Sequence, residues 1–137
     1  MKRILAPILL LTLLFPTFAF GETMKDLVKR DGIYYKKFST VPFTGTVKGL
    51  EQGKFRNGKK QGLWVAYHPN GQLWAKEAYR NGKRNGHWVG YYPSGRLMFK
   101  GTYKDERKEG SWVWYNKDGT PSKDLTGTYR NDVKVSD

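Results

Sequence analysis

Residues 80–95 read RNGKRNGHWVGYYPSG, and a near copy, RNGKKQGLWVAYHPNG, occupies residues 56–71. Each stretch runs from an Asn-Gly turn through a Trp-Val-x-Tyr run to a second turn, Pro-Ser-Gly or Pro-Asn-Gly. Asn-Gly between β-forming runs is the strongest short hairpin signal. Trp, Val and Tyr fit a pleated, half-buried surface. Pro-x-Gly suits a three-residue loop that closes on a left-handed glycine. The sixteen residues are therefore two turns with one strand between them.

The pattern continues outward. Gly62 to Tyr67, Gly86 to Tyr91 and Gly110 to Tyr115 align with starts 24 residues apart. Gly71, Gly95 and Gly119 keep that spacing, as do Leu73 with Leu97 and Tyr79 with Tyr103, and Phe55 holds the same place one unit earlier. Repetition at a fixed period is the signature of a repeat architecture. Each unit reads as two short strands, and no stretch of the repeats carries helical periodicity. The fold class is all-β.

Gly-x-Trp-x-x-Tyr-x-x-x-Gly followed by Tyr-x-x-Gly-x-x-x-Gly resembles the MORN repeat family in its bacterial variant form. The likeness covers roughly residues 53 to 132, with Gly32 to Gly45 as a looser lead-in. It implies an elongated, single-layer antiparallel sheet of tandem β-hairpins. It also implies roles in protein binding, with phospholipid contact proposed for some members and an antitoxin-like label on some bacterial relatives. Two units depart from the pattern. Glu106 and Asp132 stand where a turn glycine is expected, and Pro121 to Thr126 holds two extra residues, as a fraying end or terminal cap would.

Strand alternation adds residue-level expectations. Three-residue loops centred on Asn70 and Gly82 set Tyr67 opposite Leu73, and Leu73 opposite Tyr91. The period then gives a packed face built from Tyr67, Leu73, Tyr91, Leu97 and Tyr115 beside Val65, Ala75, Val89, Phe99 and Val113. The opposite face carries the row Trp64, Lys76, Trp88, Lys100, Trp112, each lysine between two indoles. That row is the candidate binding face. It serves either as a stacking surface for a partner or as rings shielded by lysine stems. A one-residue bulge near Gly86 would swap the two faces.

The second set of turns carries Lys59-Lys60, Lys83-Arg84 and Arg107-Lys108. Two strands per unit place these pairs about 10 Å apart along one edge. They form a candidate anion-binding edge for lipid headgroups, another polyanion or an acidic protein. Charged turns that merely keep the sheet soluble are the alternative.

At the start, Lys2 and Arg3 precede an apolar run from Ile4 to Phe15, and Ala19-Phe20-Gly21 offers a small-x-small cleavage site. That is a signal-peptide pattern, shorter than a membrane span. Removal of residues 1–21 takes the formal charge from +13 to +11. The chain then reads as an exported periplasmic or secreted protein, and export argues against nucleic acid as a partner. Residues 22–52 read as an N-terminal cap and lead-in hairpin, and 53–137 as the repeat sheet with its C-terminal cap. Thr-x-x-Asp at Thr23 allows one or two helical turns over Thr23 to Arg30, and Gly32 to Val47 reads as a starting hairpin.

Catalytic chemistry has little to stand on. The chain has no Cys, and its two histidines, His68 and His87, occupy different places in the repeat. Glu77 alone among the acids is mid-strand. No cofactor, metal or enzyme activity is expected. The function that follows is an exported, non-catalytic scaffold for an as yet unidentified protein partner. Peripheral binding to anionic envelope lipid and antitoxin-like neutralisation are the alternatives.

Overall fold

The computed structural model describes residues 21–137, so the expected signal segment, residues 1–21, lies outside the described residues except for Gly21. Twelve strands follow: β1 (Glu22–Thr23), β2 (Leu27–Arg30), β3 (Ile33–Lys36), β4 (Gly45–Lys48), β5 (Glu51–Arg56), β6 (Lys59–Tyr67), β7 (Leu73–Arg80), β8 (Lys83–Tyr91), β9 (Leu97–Lys104), β10 (Arg107–Trp114), β11 (Gly127–Arg130) and β12 (Val133–Ser136). Ten of them make one sheet in the order β1-β4-β5-β6-β7-β8-β9-β10-β11-β12. Only β1, beside β4, is parallel to its neighbour. From β4 onward the sheet is a meander of successive antiparallel hairpins, as the 24-residue period predicts.

The two turn types set the register. At one edge, His68 and Gln72 close Pro69-Asn70-Gly71, with Gly71 at φ 86, and Tyr67 faces Leu73 as expected. At the other edge the expectation needs correcting. Arg80 pairs directly with Lys83, so the loop is the two residues Asn81-Gly82. Both have positive φ, 50 and 78, the pattern of a type I′ turn. Asn57-Gly58, Asp105-Glu106 and Asn131-Asp132 repeat that geometry.

Bulges then move the faces. Beyond the three-residue loop, Ala66 pairs with Ala75, leaving Trp74 as the extra residue, and Met98 is its equivalent between β8 and β9. A second bulge, at Gly86 (φ 115), shifts the pairing from Tyr79–Arg84 to Glu77–Trp88, and Gly62 and Gly110 mark the same irregularity. A side chain changes face whenever register slips by one, as it does at Trp74 and Met98, whereas the glycine bulges slip it by two and keep the faces. The tryptophans consequently lie on the packed face: Trp64 pairs with Glu77, Glu77 with Trp88, and Trp88 with Gly101. Lys76 and Lys100 lie on the opposite, open face in the row Val65, Lys76, Val89, Lys100, Val113. The expected Trp/Lys row does not exist. Its two residue types back onto opposite sides of the sheet.

What holds the packed face is a ladder of rings. Phe55–Trp64, Tyr79–Trp88, Trp88–Tyr103 and Tyr103–Trp112 have centroids 4.9, 5.6, 5.1 and 5.0 Å apart, most of them edge-on. Such pairs contribute about 0.5–1.5 kcal/mol beyond burial. Trp112 is only 1% exposed although no second sheet covers it, and Trp64, beneath the β2–β3 hairpin, is 2% exposed. Glycine makes this possible. A Cβ on Gly53 would lie 2.3 Å from the Trp64 ring, and one on Gly101 would lie 2.0 Å from Trp112.

The N-terminal cap differs from its sequence reading. Thr23 and Asp26 do form a capping box, but it starts a single 3-10 turn over Met24–Asp26. Leu27–Arg30 then runs as β2 and pairs with β3, so the first hairpin turns at Asp31-Gly32 and not between β3 and β4. Leu27 and Phe43 from this segment close over Val47, Phe55 and Trp64. At the far end Trp114 stacks on Trp112 at 6.0 Å, and Tyr129 joins the same cluster.

Gly101→Ala should destabilise the sheet by about 3 kcal/mol or more, because a rigid indole occupies the space of the new methyl. Gly110→Ala, which meets no atom within 4 Å and only has to hold φ +74, should cost about 1–2 kcal/mol. Urea unfolding of the two variants checks the order.

Candidate functional site

Each indole N–H on the ladder is satisfied by a carbonyl ten residues earlier, beside the glycine bulge. Trp64 donates to Lys54 at 3.2 Å, Trp88 to Ala78 at 3.2 Å, and Trp112 to Thr102 at 3.1 Å. With the polar atom occupied, the ring face is turned to the next strand and to a cation. Lys60 Nζ sits 4.1 Å from the Trp64 ring and 5.1 Å from Tyr79. The Arg84 guanidinium is 4.4 Å from Tyr103 and 5.7 Å from Trp88. Lys108 Nζ lies 5.0–5.4 Å from Tyr129, Trp114 and Trp112. Cation–π contact is present, but its cations are these turn residues rather than Lys76 and Lys100.

The predicted basic edge therefore divides. Lys60, Arg84 and Lys108 fold inward over the rings, whereas Lys59, Lys83 and Arg107 stay exposed. The inward set meets carboxylates. Lys60 lies 3.5 Å from Glu51, and Arg84 Nε donates to Glu106 at 2.9 Å while Arg84 Nη1 donates to the Tyr103 hydroxyl at 3.1 Å. Glu106 and Asp132, which break the turn-glycine pattern, have a job here. Held at φ 72 and 68, they accept the backbone N–H groups of Arg84 and Lys108 in the preceding hairpin. A left-handed non-glycine residue costs about 1–2 kcal/mol, and these charge-assisted bonds offset it.

The tips are laced together throughout. Gly82 N–H donates to the Lys60 carbonyl at 2.8 Å, and Glu106 N–H donates to that of Arg84 at 2.9 Å. Gln61, Asn85 and Glu109 side chains accept the N–H groups of Asn81, Asp105 and Asn131 at 2.8, 3.2 and 3.0 Å. Val135 follows Lys134 as Gln61 follows Lys60, and it has no acceptor to offer a further hairpin.

Sequence reasoning missed a second set of cations. The residue before each two-residue turn is Arg56, Arg80, Lys104 or Arg130, all exposed and all on the open face. Arg56 is paired with Lys59, Arg80 with Lys83, and Lys104 with Arg107. Their spacing of 24 residues from 56 to 104 was a readable signal. Only Arg80 among them forms an ion pair, with Asp105 at 3.2 Å, both side chains being about 60% exposed. The same face carries Leu63, 60% exposed, and Trp74, 43% exposed.

Glu77 occupies the ladder position held elsewhere by Gly53 and Gly101. Burial pushes its carboxyl above the ordinary value, against the pull of the Tyr79 hydroxyl bond (3.1 Å) and of Lys60. Tyr79 is pushed well up in turn by its burial and by Glu77, and it remains a donor. Among the described residues, no group of three His, Cys, Asp or Glu side chains could hold a metal ion. His68 Nε2 lies 2.8 Å from the Tyr91 carbonyl and His87 Nδ1 lies 3.2 Å from Thr102 Oγ1, in separate parts of the sheet.

Arg84→Gln should lose about 1–3 kcal/mol, since it strips a cation from two rings and leaves Glu106 unmatched. Lys100→Gln should change stability by less than about 0.5 kcal/mol; urea titration separates the two. A carboxyl whose pKa is raised on folding favours the folded state below its unfolded pKa and loses that contribution as pH rises through the folded value. Glu77→Gln should therefore raise Tm at pH 7 and leave it nearly unchanged near pH 4, a contrast that thermal scans at both pH values measure.

No curated protein matches the chain. Residues 60–81 and 84–105, whose starts and ends lie 24 apart, each match the family described as the MORN repeat variant.

Proposed function

We propose that this chain is an exported, non-catalytic scaffold that binds another protein through the open face of its sheet. The observation that carries this reading is the division between the two faces. Rings on one side are closed over by Lys60, Arg84 and Lys108. The other side leaves Leu63 and Trp74 exposed beside the Val65, Lys76, Val89, Lys100, Val113 row. Repeats of this type are generally protein- or membrane-binding modules, and apolar side chains set among cations suit a polar-rimmed protein contact.

Export is supported by residues 1–21. Cleavage after Gly21 leaves every described strand whole, since β1 begins at Glu22 and pairs with Val47. Attachment to anionic lipid draws on the same outward cations, but it makes no use of Leu63 or Trp74 in an ordered protein contact. An antitoxin-like role would be one form of protein binding with a periplasmic or secreted target.

The exported chain should begin at Glu22 by intact mass. Immobilised in that form, it should retain a protein from envelope extract, and Lys76→Glu with Lys100→Glu should abolish retention without changing the circular dichroism. Retention that survives both reversals overturns the open-face assignment.

A further inference from the structure

The open face is not flat. Beside the bulge glycines it carries two shallow grooves, one unit apart in kind. The first, of about 420 Å³, is walled by Lys54, Gln61, Gly62 and Leu63. The second, of about 570 Å³, is walled by Arg80, Asn85, Gly86 and Lys104. A third hollow of about 540 Å³ at the tips is rimmed by Lys83, Lys104, Arg107 and Arg130 together with Asp105 and Glu109. Gly62 and Gly110 have no heavy atom within 4 Å of where a side chain would start, so bulge and groove have one cause.

Cations outnumber acids on this side, where Asp105 and Glu109 stand among Arg80, Lys83, Lys104, Arg107 and Arg130. The paired tips Arg56/Lys59, Arg80/Lys83 and Lys104/Arg107 set like charges directly opposite each other, which is destabilising in a sheet. The acids nearby are already engaged. Asp105 faces Arg80 at 3.2 Å, and Glu109 accepts the Asn131 N–H at 3.0 Å. The surface is therefore complementary to an anion, and its grooves and its repeat make that anion a linear chain crossing the strands.

Spacing selects the conformation of that chain. Successive tips are two strands apart, about 9.6 Å at ~4.8 Å per strand. A polyproline II helix returns to the same face every three residues, about 9.3 Å at ~3.1 Å rise. An extended β-strand presents one face about every 6.6 Å and so misses every other tip by about 3 Å, and two turns of an α-helix, about 10.8 Å, overshoot each tip by about 1.2 Å; polyproline II misses by about 0.3 Å. Polyproline II also leaves its backbone carbonyls without internal donors. Gln61 and Asn85 give their amide oxygens to the turns and keep amide NH₂ groups at the groove walls.

We infer that the open face binds an acidic polyproline II segment of a partner protein, one carboxylate to each hairpin tip, with the backbone lying along the bulge grooves. This rests on the open face being the protein-binding surface, and it names the element that the face reads. A flat headgroup layer would engage the same cations without needing their period or the grooves.

Fluorescence anisotropy with the chain from Glu22 onward tests it. A peptide of four Glu-Pro-Pro units should bind. The same composition with its four Glu in one block should bind roughly tenfold more weakly, and Lys-Pro-Pro units should not bind. Lys83→Glu with Lys104→Glu should remove binding while circular dichroism stays unchanged. Equal affinity for periodic and blocked peptides overturns the register, and binding to phosphatidylglycerol vesicles without binding to either peptide replaces the partner with a membrane. If the peptides fail but the envelope protein is still lost on reversing Lys76 and Lys100, this inference falls alone. Should that dependence be missing as well, the open-face reading falls with it.

Discussion

Beyond the β2–β3 hairpin at one end, a sheet one layer thick has nothing to lay over its apolar rings, and the structure meets that constraint through the indole N–H. Trp64, Trp88 and Trp112 each reach back to a carbonyl beside a glycine bulge, at Lys54, Ala78 and Thr102. The bond fixes the ring flat enough that Gly53 and Gly101 must lack a Cβ beneath Trp64 and Trp112. Once flat, the ring meets the Phe or Tyr of its neighbour edge-on and offers its face to a cation. Each large ring removes roughly 150–250 Å² from water, about 4–6 kcal/mol gross at ~25 cal/mol per Å². Bulge, hydrogen bond, ring and cation are thus consecutive steps, and the 24-residue period is the length of chain needed to complete one round of them.

The same geometry sorts the charges. Inward cations are matched by Glu51, Glu106 and the ring faces. Outward cations are displayed in opposed pairs at tips held rigid by bonds to the preceding hairpin. Flexible basic turns would relax their repulsion by moving apart. Tips tied at both residues of the turn cannot, so the repulsion remains available to be relieved by an anion. A preorganised array of this kind lowers the ordering that binding would otherwise demand.

The repeat, its period, its hairpins and its three-residue loops were legible because their signals are local: Trp-Val-x-Tyr, Pro-x-Gly and Asn-Gly act through the conformations of a few consecutive residues. Face assignment was not. It depends on a parity that one residue reverses: Trp74 and Met98 each insert one, and the Asn81-Gly82 loop is one residue shorter than expected, without altering the apolar pattern. Lys76 and Lys100 were accordingly placed beside the indoles when they lie behind them. The kind of contact was read well and its members were not, since Lys60, Arg84 and Lys108 reach the rings from the next turn. Arg56, Arg80 and Lys104 were overlooked because a basic residue before a turn resembles ordinary solubilising charge until its cross-strand partner proves to be basic as well.

Glu106 and Asp132 show how departures from a repeat carry information. At a glycine turn the second turn residue is joined by backbone alone, as Gly82 is to Lys60, while Gln61 holds Asn81. Replacing the glycine by an acid adds a carboxylate clasp to the hairpin before it, which strengthens the array toward its C-terminal end. The clasping stops at β12, where Val135 provides no acceptor and Val133 breaks the basic pairing with Arg130. At the other end the β2–β3 hairpin closes over Phe55 and Trp64, and its own tip pairs Arg30 with Ile33. Three complete basic tips therefore lie between two ends that cannot extend the series. At about 9.6 Å per tip they span roughly 19 Å, the length of some six or seven residues of polyproline II chain. The number of basic tips thereby sets how long a ligand the sheet can read.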